Sequence, residues 1–155
     1  MLLLLPQSIN ILILSSHKAT ETSATNTEEA ITGKAPVNQF IHGVALADAQ
    51  FRNVVTPNVD TIFSQVWYDL SEEPMIYELP ETDRFCKVQV LDGWTNTAAV
   101  LDKAGAYAIT LSTWEGELPD GVTRIDVPTS MAWSITELFY REKRIFQMCV
   151  PFRKK

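Results

Sequence analysis

The sequence predicts a mainly β protein, an antiparallel β-sandwich or barrel. Three observations carry this. Ile62–Leu70 alternates with a period of two, setting Ile62, Ser64, Val66, Tyr68 and Leu70 on one face and Phe63, Gln65, Trp67 and Asp69 on the other. Similar branched and aromatic runs recur about every ten residues. The runs are separated by Gly, Pro and Asp clusters rather than by helical segments, which argues against βαβ units.

Taken in order, Met1–Leu14 holds two apolar bursts, Leu2–Leu5 and Ile11–Leu14, split by Pro6. No Lys or Arg precedes Lys18, so the segment is a weak match to an export signal. It is too short an apolar run to cross a membrane, which takes about 20 residues. Ser15–Thr32 reads as a linker or weak helix, with Asn26-Thr27-Glu28-Glu29 resembling a helix start. Gly33-Lys34-Ala35-Pro36 is a turn; it lacks the second Gly and the Lys-Ser or Lys-Thr of a phosphate-binding loop. In Val37–Gln50, the spacing of Val37, Phe40, Ile41, Val44 and Leu46 suits a short helix or an irregular packed segment, and Asp48 caps the next turn.

Strands follow at Ile62–Leu70, Met75–Leu79, Phe85–Leu91, Trp94–Val100, Ala106–Leu111, Val122–Val127 and Ser130–Thr136. Alternation turns Cys86, Val88 and Val90 inward, and Asp92-Gly93 is a tight-turn signal. Beyond Trp133 the character changes. Glu137–Gln147 has helical composition but no matching apolar face.

The chain's 155 residues, with 46% apolar and 21% charged, suit one domain with a core that needs no metal or disulfide. The net charge of −6 is unevenly spread. From Arg141 onward there are six basic residues and one acid, which leaves residues 1–140 with seven basic and 18 acidic residues, a net −11. Such a body repels phosphate backbones, so nucleic acid is not an expected partner. Cys86 and Cys149 are the only cysteines, and His17 and His42 are solitary, so no cofactor or metal pattern emerges.

Two polar clusters interrupt the apolar pattern where turns meet strands. One is Arg52, Asn58, Asp60 and Thr61; the other is Asp92, Trp94, Thr95 and Asn96. One reading is a single pocket lined by Asp60, Asp92, Asn58 and Asn96 and walled by Trp67 and Trp94. Two carboxylates in one cleft would push their pKa values apart for acid–base work, or would hold a hard cation. The other reading is structural: Asp and Asn bond their own turns, Arg52 pairs with an Asp, and the tryptophans fill the core. Ser64 lacks the Gly-x-Ser-x-Gly context of a nucleophile, and the sequence offers it no plausible histidine partner.

With these residues in view, the chain resembles a bacterial family called domain of unknown function 1254. The resemblance rests on Gly33-Lys34-Ala35-Pro36-Val37-Asn38-Gln39-Phe40 and on Phe51-Arg52-Asn53-Val54-Val55-x-Pro57-Asn58-Val59-Asp60-Thr61. It continues through Trp67-x-Asp69-Leu70-Ser71-x-Glu73-Pro74, Leu91-Asp92-x-Trp94-Thr95-Asn96, Trp114-x-Gly116, Leu118-Pro119-x-Gly121 and Pro128-Thr129. It implies an immunoglobulin-like β-sandwich with a helical or irregular lead-in, and no established reaction. It also implies a partner, a second β-rich domain of the family numbered 1214, normally in the same longer protein. The expected organisation is a lead-in over 1–31, the sandwich over 32–133 and an atypical basic tail over 134–155.

Two departures from the family stand out. Met1–Ala30 lacks its Tyr-Gly-Tyr-Pro-like run, and the segment after Trp133 lacks its Val-x-Ala-Ile-Gln-like continuation. With ordinary codons, a shifted reading of Arg144–Lys155 can encode Asn-Phe-Pro-Asn-Val-Cys-Ala-Ile-Gln-Glu-Lys, which is similar to that continuation. The expectation is a frame shift near Trp133–Tyr140 and loss of the second domain. A sandwich lacking its last strands would expose an edge for self-association and would melt at low temperature.

Three functions stand open at this point. The first is a fragment that binds a small polar ligand or a partner domain. The second is a hydrolase-like domain using Asp60 and Asp92. The third is a non-functional truncated product. Cytoplasmic and periplasmic locations both fit. Sequencing the gene across Trp133–Tyr140 tests the frame shift: a family-like reading in the alternate frame is expected, and its absence removes the idea.

Overall fold

The computed structural model describes residues 21–30, 33–43, 45–51 and 57–140. Among these residues eight strands form two packed sheets: β1 (Phe40–His42), β2 (Thr61–Asp69), β3 (Met75–Leu79), β4 (Cys86–Asp92), β5 (Thr97–Leu101), β6 (Gly105–Leu111), β7 (Val122–Val127) and β8 (Met131–Phe139). One sheet has the order β1-β2-β8-β4-β5, the other β3-β6-β7. The protein is a mainly β sandwich, consistent with an immunoglobulin-like arrangement. No helix among the described residues is long and apolar enough to cross a membrane.

Alternation builds the core. Val66, Tyr68 and Leu70 from β2 and its end, Val88 and Val90 from β4, and Ala132 from β8 face Met75, Tyr77, Leu79, Ile109, Ile125 and Val127 of the smaller sheet. Cys86 packs at the margin of this cluster, on the inward face its alternation predicts. The buried inward side chains of β8 are all small: Ala132, Ser134 and Thr136. The space they leave is filled by two tyrosines whose hydroxyls would otherwise be stranded. Tyr68 Oη lies 2.7 Å from Ser134 Oγ, and Tyr77 Oη, reaching across from the other sheet, lies 2.6 Å from Thr136 Oγ1.

The pairing is antiparallel throughout, except that β6 and β7 run parallel. The expectation of purely antiparallel strands fails there because the connection 112–121 carries the chain back before β7 begins. That connection is clamped. Arg124 donates from Nε to Asp126 Oδ1 at 2.8 Å and from Nη2 to the Trp114 carbonyl at 2.8 Å, with its guanidinium over the Trp114 ring. Thr110 and Arg124 hold the Asp126 carboxyl below its ordinary pKa. A Cβ on Gly116 would come 2.2 Å from Trp114 Cζ2, so a larger residue there would displace the indole.

β8 sits inside the larger sheet, paired with β2 on one side and β4 on the other. The edges among the described residues are therefore β1, β5, β3 and β7 rather than the last strand. The β1 margin is short. Asn38, at φ 65°, donates its N–H to the Trp67 carbonyl at 2.8 Å and accepts the Asp69 N–H on Oδ1 at 3.0 Å, standing in for a strand residue. β5 carries a bulge against β4 at Val90/Leu91.

Several local readings need correction. Phe40–His42 is a strand, because it pairs with Val66–Ser64 and this tertiary pairing overrides a helical spacing. The helix near the lead-in covers residues 21–25 and has ended by Asn26, where a start was expected. Glu137–Phe139 is the end of β8, held between β2 and the Phe85 carbonyl, so helical composition is overridden there as well. The rest of Glu137–Gln147 beyond Tyr140, Cys149 and Met1–Leu14 lie outside the described residues.

Ile109 is fully buried at the centre of the core. Ile109→Ala is expected to lower unfolding free energy by about 2–5 kcal/mol, read from urea denaturation at constant m.

Candidate functional site

The first polar cluster is a corner at the start of β2. Asn58 Oδ1 accepts the Asp60 N–H at 2.9 Å, closing an Asx turn, while Asn58 Nδ2 reaches Glu137 Oε2 on β8 at 3.3 Å. Asp60 is exposed, and its backbone carbonyl accepts the Tyr140 N–H at 3.0 Å. Thr61 is buried at the strand's first position. Arg52 lies outside the described residues.

The second cluster is a self-bonded turn after β4. Asp92 is buried, and its Oδ1 accepts the Trp94 and Asn96 N–H groups at 2.8 and 2.9 Å. Its Oδ2 accepts Asn96 Nδ2 at 3.0 Å. Thr95 takes a left-handed conformation, φ 68°, inside the loop. Thr129 Oγ1 accepts the Gly93 N–H at 2.7 Å and donates to the Met131 carbonyl at 2.7 Å, tying this turn to β8. The expected strand over Trp94–Val100 therefore starts only at Thr97.

The registers place these corners at opposite ends of the sheet. Asp60 adjoins Tyr140 and Phe139, whereas Asp92 is opposite Ala132. Most of β8 lies between them, about 20 Å at roughly 3.3 Å per residue. They do not line one pocket, and they are too far apart to perturb each other or share a cation; the paired reading fails because β2 and β4 flank β8 in the same direction. Trp67 and Trp94 are separated too. Trp67 stacks on its cross-strand partner Trp133, centroids 5.3 Å apart, under Ala24 of the lead-in and Ala35 of the turn that follows it. Trp94 is 38% exposed in the β4–β5 turn. No cluster of three His, Cys, Asp or Glu side chains that could hold a metal occurs among the described residues.

What the structure does bring together lies on the outer face of the larger sheet. Successive cross-strand rows there are Trp67–Trp133–Leu91, Gln65–Ile135–Gln89–Val100, Phe63–Glu137–Lys87, and Thr61–Phe139 with Phe85. Ala24 and Ala35 pack with Trp67 and Trp133 of the first row. Phe85, Phe139 and Val100 remain 50%, 42% and 55% exposed. At the β1–β2 margin the loop 45–51 and the strands enclose a cleft of about 480 Å³, with Phe51 and Phe63 edge to face, centroids 6.4 Å apart.

At its rim His42 Nδ1 lies 2.8 Å from Ser64 Oγ. Desolvation holds the His42 pKa below its ordinary value. Ser64 thus has the histidine partner that the sequence did not reveal. The two are register partners across β1 and β2, twenty-two positions apart. Only the assignment of Phe40–His42 as a strand could have exposed the pair.

The family model described as "Protein of unknown function (DUF1254)" matches residues 37–147. The match begins before β1 and continues past Trp133. No curated protein matches the chain. Among solved structures, the VPA0106 protein from Vibrio parahaemolyticus is similar, with a TM-score of 0.62 and 20% identity. The alignment covers 84% of this chain and 30% of that one, so the likeness concerns the fold and the chain spans under a third of the neighbour's length.

Asp92→Ala, which strips three hydrogen bonds from a buried turn, is expected to cost about 2–4 kcal/mol in urea unfolding. Asp60→Asn, at an exposed side chain, is expected to stay within about 0.5 kcal/mol of the parent. Equal costs would refute the division into a buried anchor and an exposed corner.

Proposed function

The chain belongs to the DUF1254 family, and on that premise we propose that it is a non-catalytic binding domain whose contact surface is the outer face of the larger sheet. The observation that carries this is the incomplete cover of that face. A sheet packed on its inner side normally shows water a polar outer side. Here Phe85, Phe139 and Val100 stand in the open, with Ile135 half-buried among them. Exposed aromatic side chains grouped on a rigid sheet suit an interface better than solvent.

The occupant we propose is another domain of a longer polypeptide, of the 1214 type that accompanies this family. Two observations support it. The chain spans 30% of the VPA0106 protein's length, which leaves most of that protein to other parts. β8 ends at Phe139 beside Phe85, so the chain leaves the sheet at the patch itself. The Lys87–Glu137 row gives the patch one charge of each sign, which orients a partner without demanding a strongly charged one.

The carboxylates support this reading over hydrolysis. Asp92 spends both oxygens on its own turn, and Asp60 is exposed at the far end of the sheet. Titrating this chain with a separately produced 1214-type domain tests the proposal by calorimetry. Saturable binding is expected, weakened about tenfold or more by Phe85→Ser with Phe139→Ser. No binding by the parent, or equal binding by the double variant, would overturn it.

A further inference from the structure

We propose that the cleft at the β1–β2 margin is a separate binding site for a small uncharged molecule. The molecule would carry an aromatic ring and a hydrogen-bonding group at one edge.

The size comes first. About 480 Å³ lies within the range of small-molecule sites. The walls then set the chemistry. Ile41, Leu46, Phe51 and Phe63 supply an apolar floor and side, and the edge-to-face rings of Phe51 and Phe63 at 63° present both a face and an edge to an incoming ring. Gln50 and Gln65 bring amide donors and acceptors to the same wall, the pattern of a few polar groups in an apolar cleft.

Charge narrows the class. Asp48 is the only ionic side chain among the described residues lining the cleft. Its Oδ1 already accepts the N–H groups of Gln50 and Phe51 at 2.8 and 3.2 Å, which shapes the loop that closes the cleft. Among the described residues lining the cleft no cation stands ready to pair with an anionic ligand, and His42, with its desolvated ring against Ser64, is not poised to become one. These residues would therefore offer an anion no ion pair to offset its lost hydration. The backbone is specialised for the enclosure as well. A Cβ on Gly43 would approach the Phe63 carbonyl oxygen to 2.9 Å, while the Gly43 N–H donates to that oxygen at 2.8 Å. The chain can pass this close to β2 at the cleft wall only with glycine here.

Fluorescence titration of the full chain with N-phenyl-1-naphthylamine, an uncharged aromatic amine, tests the site. Saturable binding is expected. The anionic analogue 8-anilinonaphthalene-1-sulfonate should bind about tenfold or more weakly. Ala47→Trp, which fills the cleft, and Phe51→Ala, which removes one ring, should each abolish or weaken amine binding about tenfold, with the urea midpoint showing that each variant is folded. Phe85→Ser with Phe139→Ser should leave amine binding unchanged, which separates this site from the domain-contact patch. Equal binding of the two probes, full binding by both cleft variants, or loss of binding in the patch variant would overturn the proposal.

Discussion

The bonds that two tyrosine hydroxyls, from β2 and β3, make to β8 are the constraint on which the sandwich depends. A central strand must present an inner face that two sheets can both pack against. Large apolar residues on it would push the sheets apart, and small ones alone would leave voids. Ala132, Ser134 and Thr136 solve the volume problem by leaving room for Tyr68 and Tyr77, and solve the polar problem by meeting both hydroxyls. The solution also fixes register. A slip of one residue in β8 would turn Trp133 and Ile135 into the core and send Ser134 and Thr136 out, stranding both hydroxyls at once. Specificity here comes from polar satisfaction inside an apolar core, with Tyr77 linking the smaller sheet directly to β8.

The same economy explains why the polar corners look like chemistry. Strand ends must reverse or redirect the chain, and Asn and Asp do this by accepting nearby backbone N–H groups. Asp92 takes the task to its limit, with both oxygens engaged and the carboxylate buried. Asn58 does half of it and lends its amide to Glu137. In a linear sequence, these residues cannot be distinguished from a catalytic pair, because the feature that separates them is the intervening length of β8.

Much of the sandwich was legible in the sequence. β3 and β7 match the runs Met75–Leu79 and Val122–Val127, and β2 differs from Ile62–Leu70 by one position at each end. Alternation also assigned the inward faces of β2 and β4, since Val66, Tyr68, Val88 and Val90 are buried as read. The failures have common physical causes. β1 has three residues, too few for a period, and owes its conformation to β2. The parallel pairing of β6 with β7 and the insertion of β8 between β2 and β4 are non-local choices that no local pattern encodes. The candidate surfaces were illegible for the same reason. Phe85, Phe139 and Val100 belong to three different strands or their ends, and Phe51 meets Phe63 only after the loop folds back.

The position of β8 has a bearing on biosynthesis. β2 and β4 are made early, yet their shared neighbour emerges from the ribosome only after β3, β5, β6 and β7 have followed. Until then the facing edges of two long apolar strands have no mate within the nascent chain. The chain therefore passes from Asp92 to Met131 with these two edges unpaired, and β8 acts as a late wedge that completes the sheet. A chaperone that shields β2 and β4 during translation would matter more to its yield than one acting after release.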